Sequence, residues 1–335
     1  MRKICFAALV ASLLLAGCNG NSKKQAPAVT GPDYSAVETP TFCADSAYQY
    51  TAAQVNFGPR TPGSEGQRKC ASYIANQMNR WCDTVIVQNF TTKLWNGKDV
   101  RGKNIIASIE AAGDDPYAKR ILLGAHWDSR LWADHDPDKA KHHAPIPGAN
   151  DGASGVGVLM ELARVISAQR PNVAIDIIFF DAEDQGVPDW ADTYEDDSWC
   201  KGSQYWSLHP HRPYYNAIYG ILLDMVGTQQ PRYTKEEVSR VFASSITNKI
   251  WTAAAALGYA DIFQNVETPS ILDDHYYVNR MAGIPMVDIV QNDATGGFFP
   301  YWHTVNDNMD HVDKTSLGIV GNVLLKTIYA DYGNL

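Results

Sequence analysis

Acidic residues and histidines stand directly after several apolar segments of the sequence. Carboxylate oxygens and imidazole nitrogens are ligands for borderline divalent metals, and zinc in particular accepts mixed sets of the two. The same carboxylates can take and return protons when they stand beside a bound metal. The residues in question are His126, Asp128, Asp151, Glu183, Asp184, Asp224, Asp273 and His303.

Three of these residues would make up the ligand set of a catalytic zinc ion. Such an ion typically keeps three protein ligands and one open position, and Asp151, Asp184 and His303 would supply them. Neighbouring side chains in extended backbone point apart, so Asp184 can bind metal while Glu183 acts as a general base. Ordinary interpretations also exist: Asp151 can cap a helix, the acid pair can lie in a solvated loop, and His303 can be a surface histidine.

The apolar segments between these residues predict alternating strands and helices. Residues 65–81 and 152–168 have apolar side chains at helical spacing. Strands without clean alternation, separated by helices, indicate an α/β sheet that is covered on both faces. We predict strands over residues 84–90, 104–109, 120–124, 174–180, 217–223 and 285–290.

The polar residues follow the carboxyl ends of these predicted strands. His126, Glu183 and Asp224 each come after a different strand. Ligand sites in open α/β sheets gather at that edge, so the fold would bring the three together. A carboxylate such as Asp224, after a wholly apolar strand, needs a partner once it is buried.

The composition is that of one large globular domain or two modest ones. Of 335 residues, 45% are hydrophobic and 19% are charged, which excludes disorder over most of the chain. There are 28 Lys and Arg against 37 Asp and Glu, a formal charge of -9. This balance lacks the positive surface of a nucleic-acid binder. It is compatible with a substrate that carries a cation, such as a free peptide amine.

The first segment predicts a bacterial lipoprotein signal peptide over residues 1–17. A basic start precedes an apolar run that is too short to span a bilayer comfortably. The run ends in Leu-Ala-Gly-Cys, which resembles the lipobox and implies cleavage before Cys18 and lipidation of its thiol. A plain signal peptide with an incidental cysteine is the other interpretation. Residues 18–34 predict a flexible tether, so the protein would be an exported lipoprotein, on the periplasmic side of a membrane or at the cell surface.

Four cysteines remain in the predicted catalytic domain, residues 35–335. An even number in an exported protein permits disulfides, with three possible pairings. A pair between Cys70 and Cys82 is not expected, since a helix separates them. Zinc binding by the cysteines is not expected either, because no C-x-x-C spacing occurs.

The series HWDS, GANDGASG, FFDAED, LLDMVG, DDH and YWHT resembles the zinc aminopeptidase and glutaminyl cyclase superfamily. The resemblance covers the chain from about Ser46 to the C-terminus. It implies a single α/β domain with a twisted, mostly parallel central sheet and helices on both faces. It also implies one of two activities. Zinc aminopeptidases hydrolyse N-terminal residues with two zinc ions, whereas glutaminyl cyclases use one zinc ion to close N-terminal glutamine into pyroglutamate and release ammonia.

Several motifs are more similar to the cyclases. HWDSR is similar to their H-Y-D-S-K stretch, LLDMVG is similar to L-L-D-L-I-G, and a tryptophan precedes the late histidine as it does in theirs. The resemblance implies peptides or proteins with N-terminal glutamine as partners, one zinc ion as cofactor, and membrane contact through the lipid anchor only. The residues it assigns are Asp151, Asp184 and His303 for zinc, Glu183, Asp224 and Asp273 for catalysis, and Trp302 and Trp190 for substrate binding.

The sequence departs from the cyclase pattern at three places. Asp184 stands where the cyclases have Glu, and Asp288 replaces a histidine of the animal enzymes. One extra residue lies between the DDH motif and Gly283, which leaves Asp273 and Asp274 open as the catalytic acid. We prefer Asp273.

The sequence contains two further groups of residues that could bind a metal. His126 and Asp128 would complete a second zinc site in an aminopeptidase, but similar residues persist in cyclases without a second metal. Residues 134–143 are dense in possible ligands, and we expect them to form a solvated loop.

Overall fold

A six-stranded mixed sheet forms the centre of this protein, whose structure, a computed structural model, describes residues 32–113, 115 and 117–333. The strands of the sheet are β1 (Thr84–Lys93), β2 (Asp99–Ile109), β3 (Arg120–His126), β4 (Ala174–Phe180), β5 (Tyr219–Asp224) and β8 (Met286–Val290). A separate pair consists of β6 (Tyr233–Glu236) and β7 (Phe263–Thr268). The order across the main sheet is β1-β2-β4-β3-β5-β8. The last four of these run parallel, and β1 and β2 add an antiparallel edge.

Helices cover both faces of the sheet. They are α1 (Ala44–Val55), α2 (Glu65–Met78), α3 (Ala153–Ala168), α4 (Lys201–Leu208), α5 (Glu237–Ala256), α6 (Asp274–Tyr277) and α7 (Lys314–Tyr332). The helices α1, α3 and α7 pack against one another, and α3 lies against β3 and β5. On the other face, α4 packs with α6 and contacts β2.

Alternate side chains of the buried strands supply two separate cores. On β3, Leu123 joins the larger core and Leu122 joins the smaller one; on β4, Ile177 and Ile178 divide in the same way. Successive side chains of a strand point to opposite faces, so continuous apolar runs are what a sheet covered on both faces requires. The predicted α/β domain with a mostly parallel sheet and helices on both faces is confirmed.

The predicted boundaries of helices and strands agree best with the observed ones where an element is wholly apolar. The strand predicted over 174–180 has the observed bounds of β4. By contrast, β2 begins at Asp99, before the predicted residue 104, because its polar first half pairs with β1 without being buried on both faces. The predicted helix over 65–81 ends earlier, at Met78.

The four cysteines of the described chain are free thiols, so the disulfides that the sequence permitted do not form. Cys70 and Cys200 are fully buried. Burial raises the pKa of the Cys70 thiol to about 12, which keeps it protonated and makes it an apolar core side chain.

The predictions for the first residues of the chain concern residues that the structure does not describe. The signal peptide over 1–17, the lipidated Cys18 and the tether up to residue 31 are not among the described residues, so they stay predictions. Within the described part, no helix combines the length and apolar character needed to cross a membrane.

A buried ion pair links β2, β3 and β4 near the amino-terminal ends of β3 and β4. Asp176 on β4 accepts hydrogen bonds from Arg120 Nε at 2.6 Å and Nη2 at 2.7 Å, and from Ser108 Oγ at 2.5 Å. Arg120 also pairs with Glu110 at 2.8 Å. Burial by itself raises the pKa of Asp176, but the hydrogen bonds and charge of Arg120 outweigh it and hold the pKa below its usual value.

We expect Asp176→Asn to lower the free energy of unfolding by about 2 kcal/mol at neutral pH, since Arg120 loses one of its two carboxylates. The depressed pKa means that this contribution is present above the ordinary carboxyl range and is lost as pH falls through the folded-state pKa. The difference in the free energy of unfolding between the variant and the wild type should therefore become smaller in acid. Urea titrations at several pH values measure it.

The exposed pair of Glu65 and Lys69, 67% and 56% exposed, provides the matched control. Glu65→Gln should cost far less free energy of unfolding than Asp176→Asn, because water screens the exposed pair. Equal costs for the two substitutions would contradict the importance assigned to the buried pair.

Candidate active site

The carboxyl ends of the parallel strands deliver the predicted site residues to one edge of the sheet. β3 ends at His126, β5 ends at Asp224, and β4 is followed directly by residues 181–184. Asp151 stands two residues before the start of α3. Parallel neighbours place their carboxyl ends at the same edge, so these polar residues meet there.

Asp151, Asp184 and His303 meet in one buried cluster. Each offers a ligand atom, and the three atoms all lie within 4.8 Å of one another. His303 Nε2 is 3.0 Å from Asp184 Oδ1 and 3.7 Å from Asp151 Oδ2. Asp151 Oδ2 and Asp184 Oδ2 are buried without a hydrogen-bond partner in the described part of the chain. Two orphaned carboxylate oxygens beside an imidazole nitrogen are a donor set that fits zinc.

The ordinary interpretations of these residues do not hold. Gly152 occupies the N-cap position of α3, and no side chain caps that helix, so Asp151 is not a cap. His303 is 2% exposed and is not a surface histidine. Glu183 and Asp184 are buried as well, so their loop is not solvated.

Left-handed backbone conformations surround the cluster. Gly152 has a φ of 101°, and a Cβ there would lie 2.3 Å from the carbonyl oxygen of Asp128, so a larger residue does not fit. Ala182, Met225 and His303 are non-glycine residues with φ between 50° and 58°. Such conformations cost energy and persist where the surrounding structure holds them. The loops that carry site residues are therefore tightly constrained.

Asp128 clamps the backbone of the loop after β4. Its carboxylate accepts hydrogen bonds from the N–H groups of Glu183 at 3.1 Å and Asp184 at 3.2 Å, and from the Gln185 amide at 2.9 Å. This clamp holds the loop that carries Asp184, whose Oδ1 lies 3.0 Å from His303 Nε2.

His126 joins a second group of candidate ligands. Its Nε2 lies 3.1 Å from both Asp151 Oδ1 and Asp224 Oδ1, and these three residues could hold a metal ion. The partner of His126 in this group is thus Asp224, which corrects the expectation that Asp128 would complete it. Burial raises the pKa of Asp224 to about 7, while the hydrogen bond with His126 lowers it.

Two buried side chains that the sequence analysis missed hold the loop that contains Asp151. Asp307 accepts hydrogen bonds from the N–H groups of Asn150 at 2.8 Å and Asp151 at 3.0 Å. Arg60 donates to the carbonyl oxygen of Gly148 at 2.6 Å. Asp307 follows the candidate histidine ligand by four residues, which was an available signal. Nothing in the sequence around Arg60 marks it.

A cavity of about 350 Å³ opens beside the Asp–Asp–His cluster, and Glu183 and Asp273 both line it. Asp274 is fully buried and is not among the lining residues, so the placement favours Asp273 over Asp274. A π-helical turn, Val278–Ala282, lies between the DDH motif and Gly283.

Glu183 is held firmly at the cavity wall. Cys200 donates its thiol to Glu183 Oε1 at 3.3 Å and its N–H to the Glu183 carbonyl oxygen at 2.8 Å. Burial raises the pKa of Glu183 well above its usual value, His126 opposes this effect, and the nearby carboxylates of Asp273 and Asp184 add to it. Glu183 therefore has the environment of a proton acceptor.

Trp302 and Trp199 form an aromatic wall of the cavity. Trp302 stacks on the ring of His303 with centroids 3.8 Å apart, and Trp199 lies nearly parallel to that ring at 6.0 Å. Trp190, which the resemblance assigned to substrate binding, does not line this cavity; it packs against Trp132, 6.1 Å away. The wall residue is Trp199, because the loop after Glu183 folds back on itself before α4. The spacing of residues along the chain does not reveal that this loop folds back.

An ion pair behind the cluster connects two of the candidate ligands. Asp134 accepts hydrogen bonds from Arg130 at 2.7 Å and 2.5 Å, and its Oδ1 lies 3.5 Å from His303 Nδ1. Arg130 also donates to the carbonyl oxygen of Asp184 at 3.1 Å. The expectation of a solvated loop over 134–143 is therefore wrong at Asp134, which is buried. A carboxylate facing the ring nitrogen away from the metal is the usual support of a metal-bound histidine.

A mostly parallel α/β sheet with a buried Asp–Asp–His cluster and a glutamate at its strand ends defines a zinc-exopeptidase-like enzyme. The chain belongs to peptidase family M28, whose model matches residues 104–328. The superfamily that the motifs predicted is thereby confirmed.

Solved structures and a curated relative are similar over most of the chain. Glutaminyl cyclase of Bacteroides thetaiotaomicron, solved with N-acetylhistamine bound, is 46% identical with a TM-score of 0.84, covering 87% of this chain and 99% of that chain. A Zn-dependent exopeptidase from Parabacteroides distasonis is 45% identical with a TM-score of 0.84 and the same coverage. Glutaminyl-peptide cyclotransferase of Bos taurus is 24% identical over 300 residues, 79% of this chain and 76% of that protein. The family and these neighbours indicate that the protein depends on zinc.

We expect Asp134→Asn to weaken zinc binding by about tenfold to a hundredfold, because the amide no longer offers a full negative charge to His303 Nδ1 and Arg130. Competition between the protein and a zinc-sensing chelator dye measures this directly, without reference to activity.

The same segment supplies a matched control. Asp138 is 56% exposed and far less buried than Asp134, and Asp138→Asn should leave zinc affinity unchanged. If Asp134→Asn retains wild-type affinity in a folded protein, the support assigned to Asp134 is refuted.

Proposed function

We propose that this protein is a zinc-dependent glutaminyl cyclase, which converts the N-terminal glutamine of peptides or proteins to pyroglutamate and releases ammonia. The likeness to the bacterial and bovine cyclases supports this assignment. The structural observation that carries it is the carboxylate pair of Glu183 and Asp273. These two residues line one small cavity beside the Asp–Asp–His cluster.

A carboxylate pair suits cyclisation because the reaction moves a proton between two nitrogens. The α-amine attacks the γ-carboxamide carbon, so that a new C–N bond forms. The old C–N bond then breaks, and ammonia leaves with the proton that the amine lost. Glu183 takes that proton from the amine and returns it to the departing nitrogen. Asp273 and Asp224 line the same cavity, and the charge of Asp273 raises the pKa of Glu183.

Asp151, Asp184 and His303 would hold the zinc ion. When bound, zinc polarises the carboxamide and stabilises negative charge on its oxygen. Trp302 and Trp199 enclose the glutamine side chain in the small cavity and keep amine and carboxamide close. Because nucleophile and electrophile belong to one residue, we propose that a single zinc ion is sufficient.

A zinc aminopeptidase is the second candidate. The group of His126, Asp151 and Asp224 favours it, since a second ion there would share Asp151 with the first. The cyclase is preferred because the likeness to the glutaminyl cyclase of Bacteroides thetaiotaomicron and to the bovine cyclotransferase extends over most of the chain.

Incubation with a peptide that begins with glutamine, followed by mass spectrometry, distinguishes the two reactions. We expect the peptide to lose the mass of one ammonia while its residue count stays the same. Glu183→Gln should lower turnover by about 10²–10⁴-fold, because an amide cannot accept the proton, and it should still bind zinc. Release of free glutamine would refute the cyclase proposal. Full activity of the variant would refute the base assignment.

Zinc content provides an independent measurement. We expect about one zinc ion per chain in the purified protein after removal of loosely bound metal. Dialysis against a strong chelator should abolish turnover, and one equivalent of zinc should restore it. Two tightly bound ions, both needed for activity, would favour the aminopeptidase.

The lipid anchor remains a separate proposal. Cleavage before Cys18 and lipidation of its thiol would place the enzyme on the periplasmic side of a membrane or at the cell surface. It would meet secreted or surface peptides there. The basis is the leader sequence alone.

A further inference from the structure

A second cavity lies at the same end of the sheet as the active site, near its antiparallel edge. It has a volume of about 680 Å³ and is larger than the cavity beside the Asp–Asp–His cluster. Residues of α2, the last part of β1, the first part of β2 and α4 line it. We call it the edge cleft. Because β2 runs antiparallel to β4, the start of β2 lies beside the end of β4, where the catalytic loop begins.

The charged side chains of the edge cleft are all cationic. Arg68, Arg101 and Lys103 line it, and no acidic residue does. Among the described residues, none of the three has a carboxylate within ion-pair distance, and Arg68 donates only to carbonyl oxygens of Gly63 and Ser64. Three unpaired cations around one concavity are unexpected in a chain with a net charge of -9. They form a local positive potential that attracts anions.

The geometry of the cations suits a ligand with more than one anionic group. Arg101 and Lys103 are two residues apart on β2 and so point to the same face of the strand, while Arg68 comes from α2. The cleft is much larger than a single phosphate or carboxylate. Asn89 and Thr91 on β1 add neutral hydrogen-bonding groups to its wall.

Two hydrogen bonds of the Lys103 backbone connect the cleft to the active site. Its N–H donates to Asp181 Oδ2 at 2.7 Å, and its carbonyl oxygen accepts the indole N–H of Trp127 at 3.1 Å. Gln67, another lining residue, donates to the same Asp181 oxygen at 2.9 Å. Asp181 begins the loop that carries Glu183, and Trp127 follows His126 directly. A ligand that shifts Lys103 therefore acts on both catalytic loops.

We propose that the edge cleft binds a small multivalent oxyanion and that its occupancy alters turnover through Lys103, Asp181 and Trp127. The binding part is independent of the proposed cyclase reaction, whereas the change in turnover rests on it. Phosphate and carboxylate groups share the required chemistry, since both accept charge-assisted hydrogen bonds from arginine and lysine.

Binding is tested by NMR on the full chain labelled with ¹⁵N. The probes are fructose 1,6-bisphosphate for the phosphate class and benzene-1,3,5-tricarboxylate for the carboxylate class, with fructose as the neutral comparison. We expect at least one probe to shift the Trp127 indole signal, assigned with Trp127→Phe, and the Lys103 amide signal saturably. Added NaCl should weaken the effect. No saturable shift with either probe at millimolar concentration would overturn the proposal.

Matched variants separate the cleft from general surface charge. Arg101→Gln combined with Lys103→Gln should weaken probe binding by about tenfold or more, because two charge-assisted contacts are lost. Lys119→Gln removes an exposed cation at the start of β3, at the other end of the sheet, and should bind the probe as the wild type does. Equal binding by the double variant and the wild type would overturn the proposal.

The coupling is tested by the initial rate on a glutamine-initiated peptide with zinc held constant. At saturating probe, we expect the wild-type rate to change by about fivefold, the lower end of typical coupling between sites. The double variant should have the same rate with the probe as without it. An unchanged wild-type rate at full occupancy would overturn the coupling, as would the same rate change in the double variant, since the probe would then act by removing zinc. Absence of any turnover without probe would refute the cyclase assignment instead, while the NMR result would stand.

Discussion

Repulsion among buried carboxylates is the constraint on which this active site depends. Asp151, Glu183, Asp184, Asp224 and Asp273 line one small cavity, where the low dielectric strengthens every like-charge interaction. Such a group is stable only if cations and hydrogen-bond donors compensate it. The imidazole of His126 and the guanidinium of Arg130 are compensating groups that the fold places there, and a zinc ion held by the Asp–Asp–His cluster would be a further one. The same repulsion raises the pKa of Glu183. A carboxylate with a raised pKa is a stronger base toward an amine.

Hydrogen bonds from the surrounding structure hold the loops that carry these carboxylates. Asp128 clamps the loop after β4 by its amides, and Asp307 does the same for the loop before α3. Arg60 anchors that second loop through a carbonyl oxygen. The left-handed conformation of Ala182 persists because Asp128 holds the backbone that follows it. The free energy that the site costs is offset by the two apolar cores that enclose the sheet.

Prediction from sequence succeeded where a residue's type and its place after a strand carry the information. The apolar run of β4 and the acids that follow it indicated both a buried strand and a site residue. The triad of Asp151, Asp184 and His303 also followed from residue type and motif order, and the structure brings the three together. Prediction failed where a contact depends on the path by which a loop folds back over the sheet edge. Trp199 replaces Trp190 at the cavity wall, and Asp134, expected in solvent, is buried beneath His303.

The sequence by itself determined the α/β class, the edge of the sheet that holds the site and the residue types that meet there, because hydrophobic periodicity and strand-end position are local properties of the chain. Tertiary structure alone decided which acid faces the cavity. Asp273 lines the cavity, whereas Asp274 is fully buried and is not among the lining residues. It also decided which buried ions support the ligands. Arg60 lies far along the chain from Gly148, Arg130 from Asp184 and Asp134 from His303, and only the folded chain brings these residues together.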